Sequence, residues 1–326
     1  MAMDGQYRYE ALPDHHIRIL KVMSDGETFE AEIETFHVDH LPYFLALSWT
    51  WPKAEHGETL ATEYFQCRGK QSTIPTSLHK ALLCLSPQPS PSSFRIWIDA
   101  ICINQYDTTE KNVQVPMMST IYGCANKVIV WLGEAGHYTD MIMNEEVIEL
   151  IVRGLRQAEG AVLRHQLPGL GLPDASNRLW PAIGNLLNRR WFSRLWIVQE
   201  VLLAQKIDVV CGRRSVTWEW LVRLGKSVAD AGLRGLCQDI VQADCTMTNG
   251  FSLSAIDQVR TQRSLQGVAS NFILSSSRLR GVEKPIDRVY AFWALLKKVC
   301  GKLSRWIILR RPSVITGSRI FNLGVT

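Results

Sequence analysis

Between Phe94 and Gly133 the chain reads as strand, helix, strand, and this run does most to limit what the sequence can become. Phe94-Arg-Ile-Trp-Ile-Asp-Ala-Ile-Cys-Ile-Asn-Gln105 is rich in β-branched and aromatic residues with little alternation, as in a strand buried on both faces. Asp107-Thr-Thr-Glu110 is a capping-box-like start with Asp in place of the usual Ser or Thr. The helix it opens runs through Val113, Met117, Ile121 and Cys124, so its methionines read as core filling. Lys127-Val-Ile-Val-Trp-Leu-Gly133 is a second buried strand ending in glycine. Strand–helix–strand order of this kind points to an α/β protein with a mainly parallel sheet and right-handed crossovers. Asp99 interrupts the first apolar run. A carboxylate in such surroundings is either a structural pin or a polar group delivered to a site.

The segments before this unit are also strand-like. Ile17-Arg-Ile-Leu-Lys-Val22 and Glu30–His37 alternate on either side of the turn Ser24-Asp25-Gly26, which predicts an antiparallel pair. Tyr43–Trp51 reads as a buried strand stopped by Pro52. Ligands in open α/β sheets gather at the carboxyl ends of strands, which marks Ser48 and Trp51. The other reading is that the two tryptophans cover the sheet end. Phe65–Gly69 is a hairpin strand in this reading, and Thr76 caps a helix over Ser77–Leu85.

After Gly133 the spacing predicts a helix over about 140–158 and a surface excursion over 160–174, and Leu179–Leu187 leads into the next helix. Asn188–Ala204 then reads as one continuous helix, with Trp191, Leu195, Val198 and Leu202 on its apolar stripe. On a second face Ser193, Trp196 and Glu200 fall in line, an acid beside an aromatic plate. Arg189, Arg190 and Arg194 lie at the start, where the helix dipole disfavours cations, so a carboxylate or an anionic ligand is expected to compensate them. Ile207–Gly212 is a short strand, Trp218–Ala231 a helix, 235–275 weakly helical, and Pro285–Leu296 a further helix.

Composition narrows the class. With 46% hydrophobic and 21% charged residues the chain is an ordinary globular one. The net charge is +5, and residues 299–326 alone carry Lys302, Arg305, Arg310, Arg311 and Arg319 without an acid, so the first 298 residues are formally neutral. That excludes a nucleic-acid-binding body. The eight cysteines show no C-x-x-C and no metal-like spacing with histidine, so no metal site is expected. No cleavable signal opens the chain and no apolar run reaches ~18 residues, so a reduced, cytoplasmic protein without a transmembrane segment is expected. No Ser-His-Asp set or phosphate-cradling glycine loop accompanies Ser48, Trp51, Asp99, Ser193, Trp196 and Glu200. No firm cofactor follows.

Four blocks, in order, resemble the fungal heterokaryon-incompatibility (HET) domain. They are Tyr43 with Ala46-Leu-Ser-Trp-Thr-Trp51; Ile96–Gln105 with Glu110, Gln114, Met118, Ile121-Tyr122, Ala125 and Val128–Gly133; Arg190-Trp, Arg194 and Trp196-Ile-Val-Gln-Glu200; and Asp287-Arg-Val-Tyr-Ala291. Pro52 departs from the family's usual glycine. The resemblance implies a role in fungal non-self recognition and programmed cell death, with protein partners in incompatibility signalling and self-association. The family has been likened to the TIR fold, so the resemblance also implies a TIR/flavodoxin-like sheet flanked by helices, with additional helical segments. Ser193-x-x-Trp196-x-x-x-Glu200 is similar to the arrangement in TIR domains that cleave NAD. It marks Glu200 as the catalytic candidate, with Ser48, Trp51, Asp99, Ser193 and Trp196 as substrate-binding candidates and NAD as substrate. The alternative is a non-enzymatic oligomerisation module. The expected division is a polar segment at 1–16, a HET core at 17–205, a mainly helical extension at 206–298 and a basic, atypical tail at 299–326. That tail is either a divergent or mis-spliced end or a membrane-surface arm.

Overall fold

The computed structural model describes residues 7–52, 60–86, 91–158, 160–237 and 253–261. The Asp287–Ala291 block, the helix expected over Pro285–Leu296 and the basic tail lie outside the described residues.

Among the described residues, nine strands form one sheet: β1 (His16–Ser24), β2 (Phe29–His37), β3 (Leu45–Ser48), β4 (Thr62–Cys67), β5 (Lys70–Pro75), β6 (Ser92–Trp97), β7 (Lys127–Trp131), β8 (Ile207–Cys211) and β9 (Arg214–Thr217). The helices are α1 (Thr76–Leu85), α2 (Asp99–Cys102), α3 (Thr108–Cys124), α4 (Thr139–Ile142), α5 (Glu145–Arg156), α6 (Leu179–Leu187), α7 (Trp196–Leu203), α8 (Trp218–Asp230) and α9 (Leu253–Thr261). The strand order is β5-β4-β2-β1-β6-β3-β7-β8-β9.

The α/β expectation stands, but the sheet is mixed rather than mainly parallel. Four strand pairs are parallel, β2/β4, β3/β6, β3/β7 and β7/β8, and four are antiparallel, β1/β2, β1/β6, β4/β5 and β8/β9. The parallel pairs concentrate in the centre, β6-β3-β7-β8, where each return needs a crossover. Hairpins extend the sheet at both ends, because β1/β2, β4/β5 and β8/β9 are each joined by a short turn. Burial follows the same division. The strands β3 and β7 are buried almost throughout, whereas β4 and β5 are largely exposed.

Several expected elements are shorter than their apolar runs. β6 ends at Trp97, and Asp99 opens the short helix α2 rather than interrupting a strand. The helix expected over 140–158 is two helices, divided where the Asn144 side chain accepts from Glu146 N and caps α5. Thr76 does not cap α1; Pro75 takes that place without a side-chain hydrogen bond. Asn188–Ala204 is not continuous either. A 3-10 turn, Arg190–Ser193, ends at Arg194, whose φ of −75° and ψ of 141° are extended, and α7 starts afresh at Trp196.

Asp107 caps α3 as its spacing predicts, accepting from Thr109 N and Glu110 N. Glu110 does not complete a reciprocal box. Its carboxylate turns to Arg18 of β1, with Nη1 donating to Oε1 at 2.5 Å and Nη2 to Oε2 at 3.0 Å, and it also accepts from Asn104 N. The same guanidinium donates to the carbonyls of Cys102 and Glu10 and lies 4.8 Å from the Tyr9 ring centre. Arg18 is 2% exposed and Glu110 9%, so this fork joins β1, α3 and the N-terminal segment inside the core.

Removing one partner of a buried pair strands the other charge, whereas replacing both with apolar groups does not. Glu110→Ala is therefore expected to lower unfolding free energy by about 3–5 kcal/mol. The double replacement Arg18→Met with Glu110→Leu is expected to cost much less. Urea denaturation of the three proteins checks the ordering.

Candidate functional site at the carboxyl edge of the parallel strands

The four central parallel strands deliver their carboxyl ends to one edge of the sheet. At the end of β3 the Ser48 side chain turns inward and is fully buried. Its hydroxyl donates to Glu200 Oε2 and accepts from Trp191 Nε1 at 2.7 Å. One hydroxyl thus joins a strand end, the 3-10 turn and α7. The other oxygen of Glu200 faces Arg194 Nη2 at 3.5 Å, a loose contact beside the Arg18 fork.

Glu200 is 2% exposed. Its pKa is raised above the ordinary carboxylate range, chiefly because burial penalises the charge. The Arg194 guanidinium and the Ser48 hydroxyl oppose that shift, and the Asp99 carboxylate adds to it. Tyr122, on α3, donates its hydroxyl to Leu47 O at 3.0 Å. Burial raises the Tyr122 pKa well above that of a free phenol, and the carboxylates of Glu200 and Asp99 reinforce the shift.

Asp99 occupies the neighbouring strand end. Its Oδ1 accepts from Trp49 Nε1 at 2.9 Å and Ala100 N at 2.8 Å, and its Oδ2 accepts from Trp51 Nε1 at 2.8 Å. Two indoles from the strand end beside it and its own helix start therefore hold the carboxylate. The Trp49 and Trp51 rings lie 5.5 Å apart, 32° from coplanar. The tryptophans thus cover the sheet end by gripping Asp99. At the end of β7, Gly133 has φ +102° and Arg189 Nη1 donates to Leu132 O at 2.8 Å. A Cβ at Gly133 would lie 3.0 Å from that nitrogen.

The structure thus brings Ser48 to Glu200, and Trp51 to Asp99. Ser193 and Trp196 are placed differently from a single helical line. The Ser193 hydroxyl donates to Arg190 O within the 3-10 turn, and Trp196 is half-buried at the first position of α7, one turn before Glu200. The extended backbone at Arg194 rotates Ser193 out of the α7 repeat. Sequence reasoning missed Trp191 and Tyr122 as site residues. Both sit in apolar stripes, and only their polar tips, an indole N–H and a phenol, hint at a second task. Two of the three arginines at the turn meet acceptors within the chain, Arg194 at Glu200 and Arg189 at a carbonyl.

Chemically, the cluster holds a carboxyl group with high proton affinity, a hydroxyl wired to it and a second carboxylate within electrostatic range. Among the described residues no group of three or more His, Cys, Asp or Glu side chains is arranged to hold a metal ion. No described helix is long and apolar enough to cross a membrane.

A raised carboxyl pKa means that the folded state holds the Glu200 proton more tightly than the unfolded chain. This contribution to stability is full below the ordinary value of 4.5 and is lost as pH rises through the folded pKa. Glu200→Gln, which does not titrate, is therefore expected to gain stability relative to wild type as pH rises above 4.5. Chemical denaturation of both proteins over a pH series measures the difference, and parallel curves would contradict it.

Residues 44–200 match the family described as Heterokaryon incompatibility protein (HET). A relative, heterokaryon incompatibility protein 6, OR allele, of Neurospora crassa, is 29% identical over 265 residues, covering 69% of this chain and 38% of the relative. The matched stretch is thus well under half the length of that relative. No solved structure matches.

Proposed function

The chain carries a heterokaryon-incompatibility domain over residues 44–200, and on that premise we propose that it acts in fungal non-self recognition as an effector of incompatibility-triggered programmed cell death. The name of the Neurospora relative, a heterokaryon incompatibility protein, supports the biological role. The proposed chemistry is cleavage of NAD or a related nucleotide at the nicotinamide–ribose bond.

The observation that carries the chemical reading is the position of Glu200. Numbered among themselves in chain order, β3, β6, β7 and β8 are first to fourth, and they lie in the sheet as second, first, third, fourth. That is the order of flavodoxin-like sheets, whose ligands sit outside the carboxyl ends where the order reverses. Ser48 ends the first of these strands and bonds Glu200. This supports a TIR-like core in which the carboxyl edge is the nucleotide site.

In this mechanism the bond from ribose C1 to the nicotinamide nitrogen breaks and the nitrogen keeps the electron pair. Ionised Glu200 stabilises the ribosyl cation, and water adds to it with loss of a proton. Ser48 orients the carboxylate. Trp51 and Trp196 wall the pocket, while Asp99 and Ser193 hold ribose hydroxyls. The start of the extension, residues 207–217, acts with the core, because β8 and β9 continue its sheet. Self-association and protein partners in the cytoplasm complete the proposed pathway.

A second reading is a non-enzymatic signalling module that oligomerises. It is favoured by the 2% exposure of Glu200 and by its contacts to Ser48 and Arg194, which suit a structural pin. Substrate reaches Glu200 only if the segment covering it moves.

Expression of wild type and Glu200→Gln in a fungal host, with growth and cellular NAD followed together, separates the readings. The enzymatic reading expects wild type to arrest growth and deplete NAD, and the equally folded variant to do neither, with NAD turnover lowered at least about a hundredfold. Equal killing by both, with NAD constant, would assign the protein to the second reading.

A further inference from the structure

Four histidines meet at the end of the β1/β2 pair, on a different part of the sheet from the carboxyl-edge site. Twenty residues lie between His16 and His37 in the chain, yet the two are directly opposed in the antiparallel register. Their rings lie 5.1 Å apart at 80°. His15 and His40 approach the same His37 ring, at 6.1 Å and 6.0 Å. His15 and His40 are exposed, and His16 and His37 half-buried. The backbone under them is tied down, since Val38 N donates to His15 O at 2.9 Å and His40 N to His37 O at 3.0 Å.

Ring chemistry gives the pair a direction. His16 Nδ1 lies 2.8 Å from Asp14 O. A carbonyl only accepts, so Nδ1 carries the hydrogen and Nε2 keeps its lone pair free. Imidazoles that ligate metals are commonly oriented by such a bond from the other ring nitrogen. His37 Nδ1 accepts from Asp39 N at 3.3 Å and lies 3.6 Å from Asp39 Oδ2. Coordination through Nε2 requires the other tautomer, with the hydrogen on Nδ1, so it exchanges the Asp39 N–H contact for one to the Asp39 carboxylate. The ring spacing also fits. With metal–nitrogen bonds of about 2.0–2.1 Å, two imidazoles on one tetrahedral ion have centres about 5 Å apart.

We propose that His16 and His37 form a two-imidazole site for a divalent transition metal ion. As the rings stand, no group of three or more side chains among the described residues is arranged around one ion. The pair is therefore the anchor, with water in the remaining positions. His40, exposed and one turn away, joins by rotation about its side-chain torsions. Imidazole donors suit nickel, copper and zinc rather than magnesium or calcium. The site is independent of the proposed nucleotide chemistry.

The test is a calorimetric titration of the untagged, full-length chain with NiCl2 in a non-chelating buffer. Wild type is expected to show saturable binding. His16→Ala and His37→Ala are each expected to weaken it at least about tenfold. His165→Ala, a change at an exposed histidine elsewhere, is expected to leave it unaltered. His37→Asn keeps a polar group toward Asp39 and separates ligation from packing, and thermal melts establish that each variant is folded. Absence of saturable binding in wild type, or undiminished binding in the His16→Ala/His37→Ala double variant, would overturn the assignment.

Discussion

The register of β3 between β6 and β7 is the constraint on which the candidate site depends. β3 is only four residues long, but it is hydrogen-bonded on both sides and buried through Ser48. Side chains alternate across a strand, so a slip of one residue would turn Ser48 away and present Leu47 or Trp49 in its place. The buried hydroxyl then has to find partners, and Glu200 and Trp191 supply them. Trp49 and Trp51, the residues that follow, reach Asp99 across the parallel neighbour. Two polar clusters at one sheet edge thus share one short strand as their origin.

Two buried carboxylate–arginine contacts illustrate different uses of the same chemistry. Arg18 and Glu110 meet as a bidentate fork, and both terminal nitrogens of the guanidinium also donate to backbone carbonyls while its plane lies against a ring. Such a pair offsets its desolvation by geometry. Arg194 and Glu200 touch at 3.5 Å through one nitrogen, and the buried Nη1 of Arg194 has no hydrogen-bond partner. Burial therefore wins at Glu200 and its proton affinity rises, whereas the Arg18 fork serves as an internal joint. Perturbed acids of this kind occur both at functional sites and in structural ion-pair networks.

The match of residues 44–200 to the heterokaryon-incompatibility family takes in most of the blocks that the sequence displays, and the structure gives several of them physical work. Ser48, Trp49 and Trp51 organise the strand end. Glu110, a charged residue in an otherwise local capping pattern, is in fact a long-range partner of β1. Gly133 allows the chain to turn beside Arg189 with a backbone angle that a side chain would strain. The chain spans 38% of the length of its Neurospora relative, so what this region does and what a longer protein does are separate questions.

Local pattern was enough to read the strands β1, β2, β7 and β8, the Asp107 cap and the existence of α3 and α8, because apolar periodicity and capping chemistry act within a few residues. It also singled out Ser48, Asp99 and Glu200, since a polar residue set in an apolar run must be partnered wherever the chain goes. Tertiary structure decided which groups those partners were. No local signal tells Ser48 that Glu200, 152 residues away, will receive its proton, or that Trp191 carries a hydrogen bond as well as apolar surface. The break at Arg194 was likewise invisible, because helical spacing survives in a sequence even where the backbone extends to bring an arginine back to a buried acid. The mixed sheet came from pairing at its edges, where hairpins joined strands whose partners periodicity cannot name. Sequence determined which segments would be strand or helix and which polar groups would need an answer; only packing in three dimensions, where burial sets the cost of leaving a charge alone, decided what answered them.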